Sequence, residues 1–197
     1  MAELMSKEVA CKWASNKNIA FIVNVKESDA AHPFEIFSDK TKIKLNITDF
    51  QNQGNNVVAG ANIDIKTLNA LKAAASYSCV GLLPKYNLEQ VKIFGTPDEY
   101  GQMLVTKLTI NYNPTAPDGT DLRLPWWIGI QNGKGVGEKK GSQTYMKSGT
   151  FKSEKSVYIN LSADDMYDAL IASDRLLDIF VQASKDRVLR AYSAMQE

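Results

Sequence analysis

The sequence predicts an α+β fold, antiparallel β-sheets with helices following them. Three observations predict it. Several stretches alternate apolar and polar residues with the two-residue period of half-buried strands. Two later stretches read as helices, one rich in Leu and Ala and one opened by a serine cap. The 197 residues, 44% hydrophobic and 23% charged, suffice for a continuous core without a disulfide or metal staple.

The elements follow in order. Glu3 to Ala14 reads as a short helix. Ile19 to Val25 places Ile19, Phe21, Val23 and Val25 on one face. Phe34 to Phe37 reads as one more short strand. Lys40 to Ile47 alternates without a fault, with Thr41, Ile43, Leu45 and Ile47 on one side and Lys40, Lys42, Lys44 and Asn46 on the other. After the turn signal Gly54-Asn55-Asn56, Val57 to Ile65 is a strand. Thr67 to Tyr77 is the first helix. Lys107 to Asn113, Trp126 to Gln131 and Val157 to Leu161 are strands, facing inward with Leu108, Ile110 and Tyr112, then Trp126, Ile128 and Ile130, then Val157, Ile159 and Leu161. Ser162 caps the second helix, and Asp164 and Asp165 suit its free N–H groups and dipole. Met166, Leu170, Leu177 and Val181 form its apolar stripe. A break at Ser173-Asp174 is an option, and Asp186 to Met195 reads as a C-terminal helix. Asn113 to Gly119 is a loop. Gln131 to Gly149, rich in Gly and Lys, is a mobile hairpin arm in this reading. The length favours one domain over 1–197, with fused sheet–helix halves over about 15–80 and 100–185.

Much chemistry is missing. His32 is the sole histidine, in a turn before Pro33, so no zinc triad or Ser-His-Asp set is expected. Cys11 and Cys79 make no zinc site by themselves. No phosphate-loop motif appears, and Gly133-Lys134-Gly135-Val136-Gly137 lacks the strand-to-helix context of one. No apolar run is long enough to span a membrane. Met1 to Ala14, with Glu3, Lys7, Glu8 and Lys12, does not read as a secretory signal. The expectation is a cytoplasmic protein (host cytoplasm if phage-encoded) with no catalysis, cofactor, metal or membrane partner.

One arrangement occurs in two places. Ile63-Asp64-Ile65-Lys66-Thr67-Leu68 and Ile159-Asn160-Leu161-Ser162-Ala163-Asp164 each carry a strand directly into a helix, and strands precede each. A duplicated strand-strand-strand-helix unit and chance similarity both account for the echo. With the strand Lys40-Thr41-Lys42-Ile43-Lys44-Leu45-Asn46-Ile47, these junctions resemble the single-stranded nucleic-acid binders of the Whirly and positive-cofactor-four type, over about Phe34 to Ala183. The resemblance implies curved antiparallel sheets, each followed by a helix, that bind single strands.

Charge distribution bears on the same reading. The formal net charge is only +1. From Lys134 to Lys155, six lysines against Glu138 and Glu154 give +4; from Asp164 to Asp178, five aspartates against Arg175 give −4. Single-strand binding needs cations for phosphates and flat rings for bases. Lys40, Lys42 and Lys44 project from one face at roughly 7 Å spacing. Trp127 and Tyr158 fall on the polar faces of their strands; Tyr145 and Phe151 flank the lysine-rich arm, which carries Lys134, Lys139, Lys140, Lys147 and Lys152. These twelve residues are the candidate site. Plainer roles compete: a lysine row also protects a sheet edge, Trp127 also suits a core or subunit interface, and the arm also suits a functionless tip.

The leading expectation is a sequence-independent, non-catalytic single-stranded nucleic-acid binder for replication, recombination or repair, DNA favoured over RNA, with a homo-oligomer in view. The rival is a structural or assembly protein, such as a virion component, using its sheets for subunit contacts. An enzyme using carboxylates alone ranks third.

Overall fold

A computed structural model describes residues 7–14, 16–24, 42–50 and 56–194. Strands β1 (Lys7–Ala14), β2 (Lys17–Asn24), β3 (Lys42–Asp49) and β4 (Val57–Asp64) form an antiparallel sheet in sequence order. Ile43, Leu45 and Ile47 stand opposite Ile63, Ala61 and Ala59, so the alternating apolar residues of both strands reach one buried face. Asp64 ends β4 and starts α1 (Ile65–Cys79): its carboxylate accepts the Thr67 N–H at 2.7 Å. Leu68, Leu71, Ala74 and Ala75 are the buried stripe of that helix.

The second sheet repeats the plan. β5 (Tyr86–Phe94), β6 (Gln102–Tyr112) and β7 (Trp126–Lys140) pair in order. The other edge of β7 pairs with β9 (Lys152–Leu161) along Trp126–Lys134 and with β8 (Gln143–Met146) along Gly137–Lys140. Ser162 then caps α2 (Ala163–Ala194), its Oγ accepting the Asp165 N–H at 3.1 Å. Asp64 and Ser162 thus do the same work at corresponding strand-to-helix junctions. Strands followed by a helix occur twice, on a four-stranded sheet first and a five-stranded sheet second, rather than on three strands each.

One core joins both halves, with residues from both sheets and both helices in contact. Trp126 is fully buried against Tyr112 and Tyr86, ring centroids 5.0 and 5.8 Å away. Its indole N–H donates to Ser78 Oγ at 3.1 Å, so the one polar atom of the ring is satisfied. Lys72 of α1 forms an ion pair with Asp174 of α2. The edge of β4 meets the core-side face of the second sheet. There the Asn132 side chain accepts the Gly60 N–H and donates to the Gly60 carbonyl, both at 2.9 Å, and Lys92 Nζ donates to the Asn62 carbonyl at 2.8 Å. Side chains therefore satisfy the edge groups that a strand edge leaves open.

Several expectations are corrected. Residues 7–14 form β1, not part of a helix, because pairing with β2 satisfies the backbone in a hairpin that outweighs local propensity. The second unit starts at Tyr86, not near 100. Its first strand escapes a two-residue reading because its apolar phase shifts: Tyr86 and Leu88 face the core, whereas Val91 and Ile93 face the other side. The Gly/Lys arm is mostly ordered strand, since β7 runs on to Lys140 and turns back as β8. Gly133 is needed there because a Cβ would collide with the backbone of Lys152 and Ser153 on β9. α2 does not break at Ser173, whose hydroxyl bonds the Ala169 carbonyl at 2.7 Å within an unbroken helix, and the expected C-terminal helix is its last turns. The expected strand at 34–37 and His32 lie outside the described residues.

Candidate nucleic-acid interface

The face of the second sheet turned away from the core carries the aromatic candidates. Three cross-strand rows build it: Asn111–Trp127–Asn160, Thr109–Gly129–Tyr158 and Lys107–Gln131–Ser156. Strand alternation sets this face, because Ile110, Ile128 and Ile159 between them point into the core. Trp127 is 36% and Tyr158 51% exposed. The Trp127 indole lies flat over Gly129, where a Cβ would come within 2.9 Å of its ring atoms. The ring thereby reaches Tyr158, with centroids 6.2 Å apart and planes 22° from parallel. The missing side chain at Gly129 is what lets these two near-parallel rings come together as one aromatic platform.

Each aromatic station has a cation on it. Lys17 Nζ, from the start of β2, sits 3.8 Å from the Tyr158 ring centroid. Asp49 pairs with that lysine at 3.6 Å, and the Lys17 side chain is only 12% exposed. Lys107 Nζ lies 4.1 Å from the centroid of Phe151, just before β9. Amides and hydroxyls of Thr109, Asn111, Gln131, Ser156 and Asn160 fill the area between, and Glu89 on β5 is the acid aligned with Thr109.

Toward the hairpin the sheet curls. Met146 of β8 packs beside Gly135 and Val105, so Met103 and Val105 are buried on this side while Leu104 is exposed on the other. An open groove of about 700 Å³ results between β5 and β8, lined by Val91, Ile93, Thr144, Tyr145 and Met146 among others. Tyr145 is half exposed there and its hydroxyl bonds Gln143. Lys139 and Lys140 are exposed near the hairpin tip, where Lys140 lies 3.8 Å from Glu138, and Lys147 is exposed in the following turn.

The remaining lysines stand elsewhere. Lys40 lies outside the described residues, as does the side chain of Lys42 on β3. Lys44 is exposed on the outward face of the first sheet and lies across Gly60, its Cε 3.0 Å from where a Cβ on that glycine would be. Lys134 and Lys152 are opposite each other on the core-side face of the second sheet, beyond the edge of β4. The expected single wall of lysines and rings is thus corrected. Each unit presents its own solvent face, and the docking of β4 onto the second sheet separates Lys44 from Trp127 and Tyr158. Lys17 and Lys107, absent from the sequence candidates, are the cations beside the rings. Lys107 was legible as an outward residue of its strand, whereas Lys17 reaches Tyr158 only through packing of the two units.

Local electrostatics are mild. The Asp98 carboxyl titrates below its ordinary range, chiefly because the Gln102 N–H donates to it, with help from the Lys134 ammonium and the Tyr100 N–H. Lys134, 3.1 Å from Asp98, is correspondingly raised by that hydrogen bond. Burial, then the neighbouring Asp164 carboxylate, pushes the Cys79 thiol up. Among the described residues no group of three or more His, Cys, Asp or Glu gathers to hold a metal ion, and no helix is long and apolar enough to cross a membrane. No family model and no curated protein matches the chain.

Proposed function

We propose that this protein is a non-catalytic, sequence-independent binder of single-stranded DNA acting in replication, recombination or repair. The observation that carries the reading is the solvent-facing platform of Trp127 and Tyr158 with Phe151 on the same face, each end of it accompanied by a lysine. Bases stack on the rings and lysines contact phosphates. At Phe151 the energetics favour an exchange: a cation–π contact near the surface is worth about 0.5–1 kcal/mol, whereas base stacking contributes about 1–3 kcal/mol per ring. Lys107 therefore leaves its ring for a phosphate as a base arrives, while Lys17, largely buried and paired with Asp49, stays beside Tyr158. Antiparallel sheets each followed by a capped helix support the reading, since the resemblance to the Whirly and positive-cofactor-four type implies sheets followed by helices.

The test is a fluorescence-anisotropy titration with single-stranded and duplex oligonucleotides at two salt concentrations. Single strands are expected to bind preferentially, with affinity falling as salt rises, and Trp127→Ala is expected to weaken binding about 5- to 150-fold. Equal affinity for duplex, or a Trp127→Ala variant that binds like the parent, overturns the reading. The assembly alternative rests on Tyr77, Val80 and Leu82, exposed together at the end of α1. It predicts a dilution-dependent oligomer that ignores nucleic acid, read by light scattering.

A further inference from the structure

Where β4 docks, the two sheets form a re-entrant corner. The wall is the outward face of the first sheet, with Lys44, Asn46, Gly60 and Asn62. The floor is the part of the second sheet's core-side face that β4 leaves uncovered. Two cross-strand rows form it: Lys92–Thr106–Asn132–Lys155 and Phe94–Leu104–Lys134–Lys152. The bonds from Asn132 to Gly60 and from Lys92 to the Asn62 carbonyl fix the seam between wall and floor.

The corner is basic and partly apolar. Among the described residues, Lys44, Lys92, Lys134, Lys152 and Lys155 stand against Asp98 and Glu154, a local excess of +3. Lys134 and Lys152 are directly opposite each other across two strands, an arrangement that costs stability unless an anion lies between them. Asp98 pairs with Lys134. Leu104, 58% exposed, and Phe94 stand on the same floor. Cations with exposed apolar groups in a concave seam suit a flexible polyanion with bases rather than a duplex backbone alone.

The corner also connects with the aromatic platform. Here β9 is the edge of its sheet, and its register shifts between Asn132 and Gly133. Along this segment Phe151 and Ser156 serve the platform side, while Lys152 and Lys155 serve the corner side.

We propose that the single strand bound on the aromatic platform continues over the β9 edge at this irregularity and runs into the corner, whose lysines hold its phosphates. The inference rests on the single-strand reading above and adds a second site to it. Short strands occupy the platform alone; longer ones engage both.

The experiment compares oligothymidylates of about 8 and about 30 nucleotides, within and beyond one platform's reach, on the full chain and its Lys152→Gln/Lys155→Gln variant. Both side chains are exposed, so the fold is expected to be kept and is checked by thermal melting. Short-strand affinity should stay within about twofold. For the long strand, loss of two phosphate contacts lowers the salt slope by about 1.4, so between 50 and 200 mM salt the variant weakens about sevenfold less than the parent. An unchanged long-strand slope overturns the corner while leaving the platform standing. If Trp127→Ala leaves the 8-mer's affinity unchanged, the platform reading falls instead. Displacement of the long strand by polyglutamate at matched charge as effectively as by DNA also overturns the proposal, since it marks a site for acidic protein.

Discussion

The bond between Asn132 and Gly60 makes a quantitative test of how the two units hold together. The Asn132 amide bonds both main-chain groups of Gly60 and also donates to Thr106 Oγ1 at 2.9 Å. Asn132→Ala removes all of these from a half-buried seam. Leaving a buried polar group without a partner costs about 1–3 kcal/mol. Water reaches part of this seam, so about 1 kcal/mol for each Gly60 group and less for the Thr106 hydroxyl is appropriate, a total of about 2–3 kcal/mol. At roughly 2–4 °C per kcal/mol for a chain of this size, Tm falls by about 5–10 °C. In urea, with a slope near 2 kcal/mol/M, the midpoint falls by about 1–1.5 M. Thermal melting and equilibrium urea unfolding at pH 7 read both. A loss below about 0.5 kcal/mol for the alanine variant refutes the reasoning.

Other perturbations read other parts of the molecule. Gly129→Ala puts a methyl into the Trp127 ring and separates it from Tyr158. Removing a strand glycine offsets part of the strain, so stability should change by less than about 1 kcal/mol while single-strand affinity falls about 5-fold or more; full affinity would remove the platform from the mechanism. Lys107→Met keeps the stem beside Phe151 but removes the charge, and should lower the salt slope by about 0.7, measured by the same titration. Cys79 should alkylate more slowly than a free cysteine at pH 8 despite its exposure, because its thiol is pushed up; in a Cys11→Ala background, Asp164→Asn should speed the reaction. Asp98 is held low in the folded state, so the stabilisation it gives is present above its unfolded pKa and lost as pH falls through the folded one. A side-chain carboxyl NMR titration should place its midpoint below that of an unstructured aspartate.

Legibility in the sequence followed whether one physical rule acted alone. β3, β4 and the paired parts of β6, β7 and β9 have one face in the core throughout, so their alternation alone marks Leu45, Ile63, Ile110, Ile128 and Ile159 as buried and Trp127 and Tyr158 as outward. The caps at Asp64 and Ser162 are local hydrogen bonds, and Ser162 was readable as such. β5 fails that rule because the sheet curls beneath the β7–β8 hairpin. At the level of Ile93 and Val105 the buried side changes, and a strand whose phase shifts midway looks irregular in one dimension. The Gly/Lys arm misleads for a related reason. Gly133, Gly135 and Gly137 mark close approach of neighbouring strands and side chains, and Gly141 and Gly149 take the positive φ of turns. Residues brought together by docking, such as Lys17 with Tyr158 or Asn132 with Gly60, leave no spacing signal at all.

The division of charge between the two faces bears on why the net charge is so small. A duplex binder needs a broad basic field, because rigid phosphates present their charge over a wide surface. A single strand bends, so a few lysines suffice if they line its route and rings take the bases. Here Lys17 and Lys107 serve the rings while Lys44, Lys92, Lys134, Lys152 and Lys155 gather at the seam, and the aspartates Asp164, Asp165 and Asp168 sit at the start of α2, packed behind the sheets. On the proposed single-strand reading, local placement rather than total charge is the quantity that sets affinity. Inverting a lysine remote from both faces, such as Lys66 on α1, should change single-strand affinity less than about twofold, whereas the same inversion at Lys107 should cost at least tenfold. Equal losses at the two positions would show that binding responds to overall field alone and that neither face is a track.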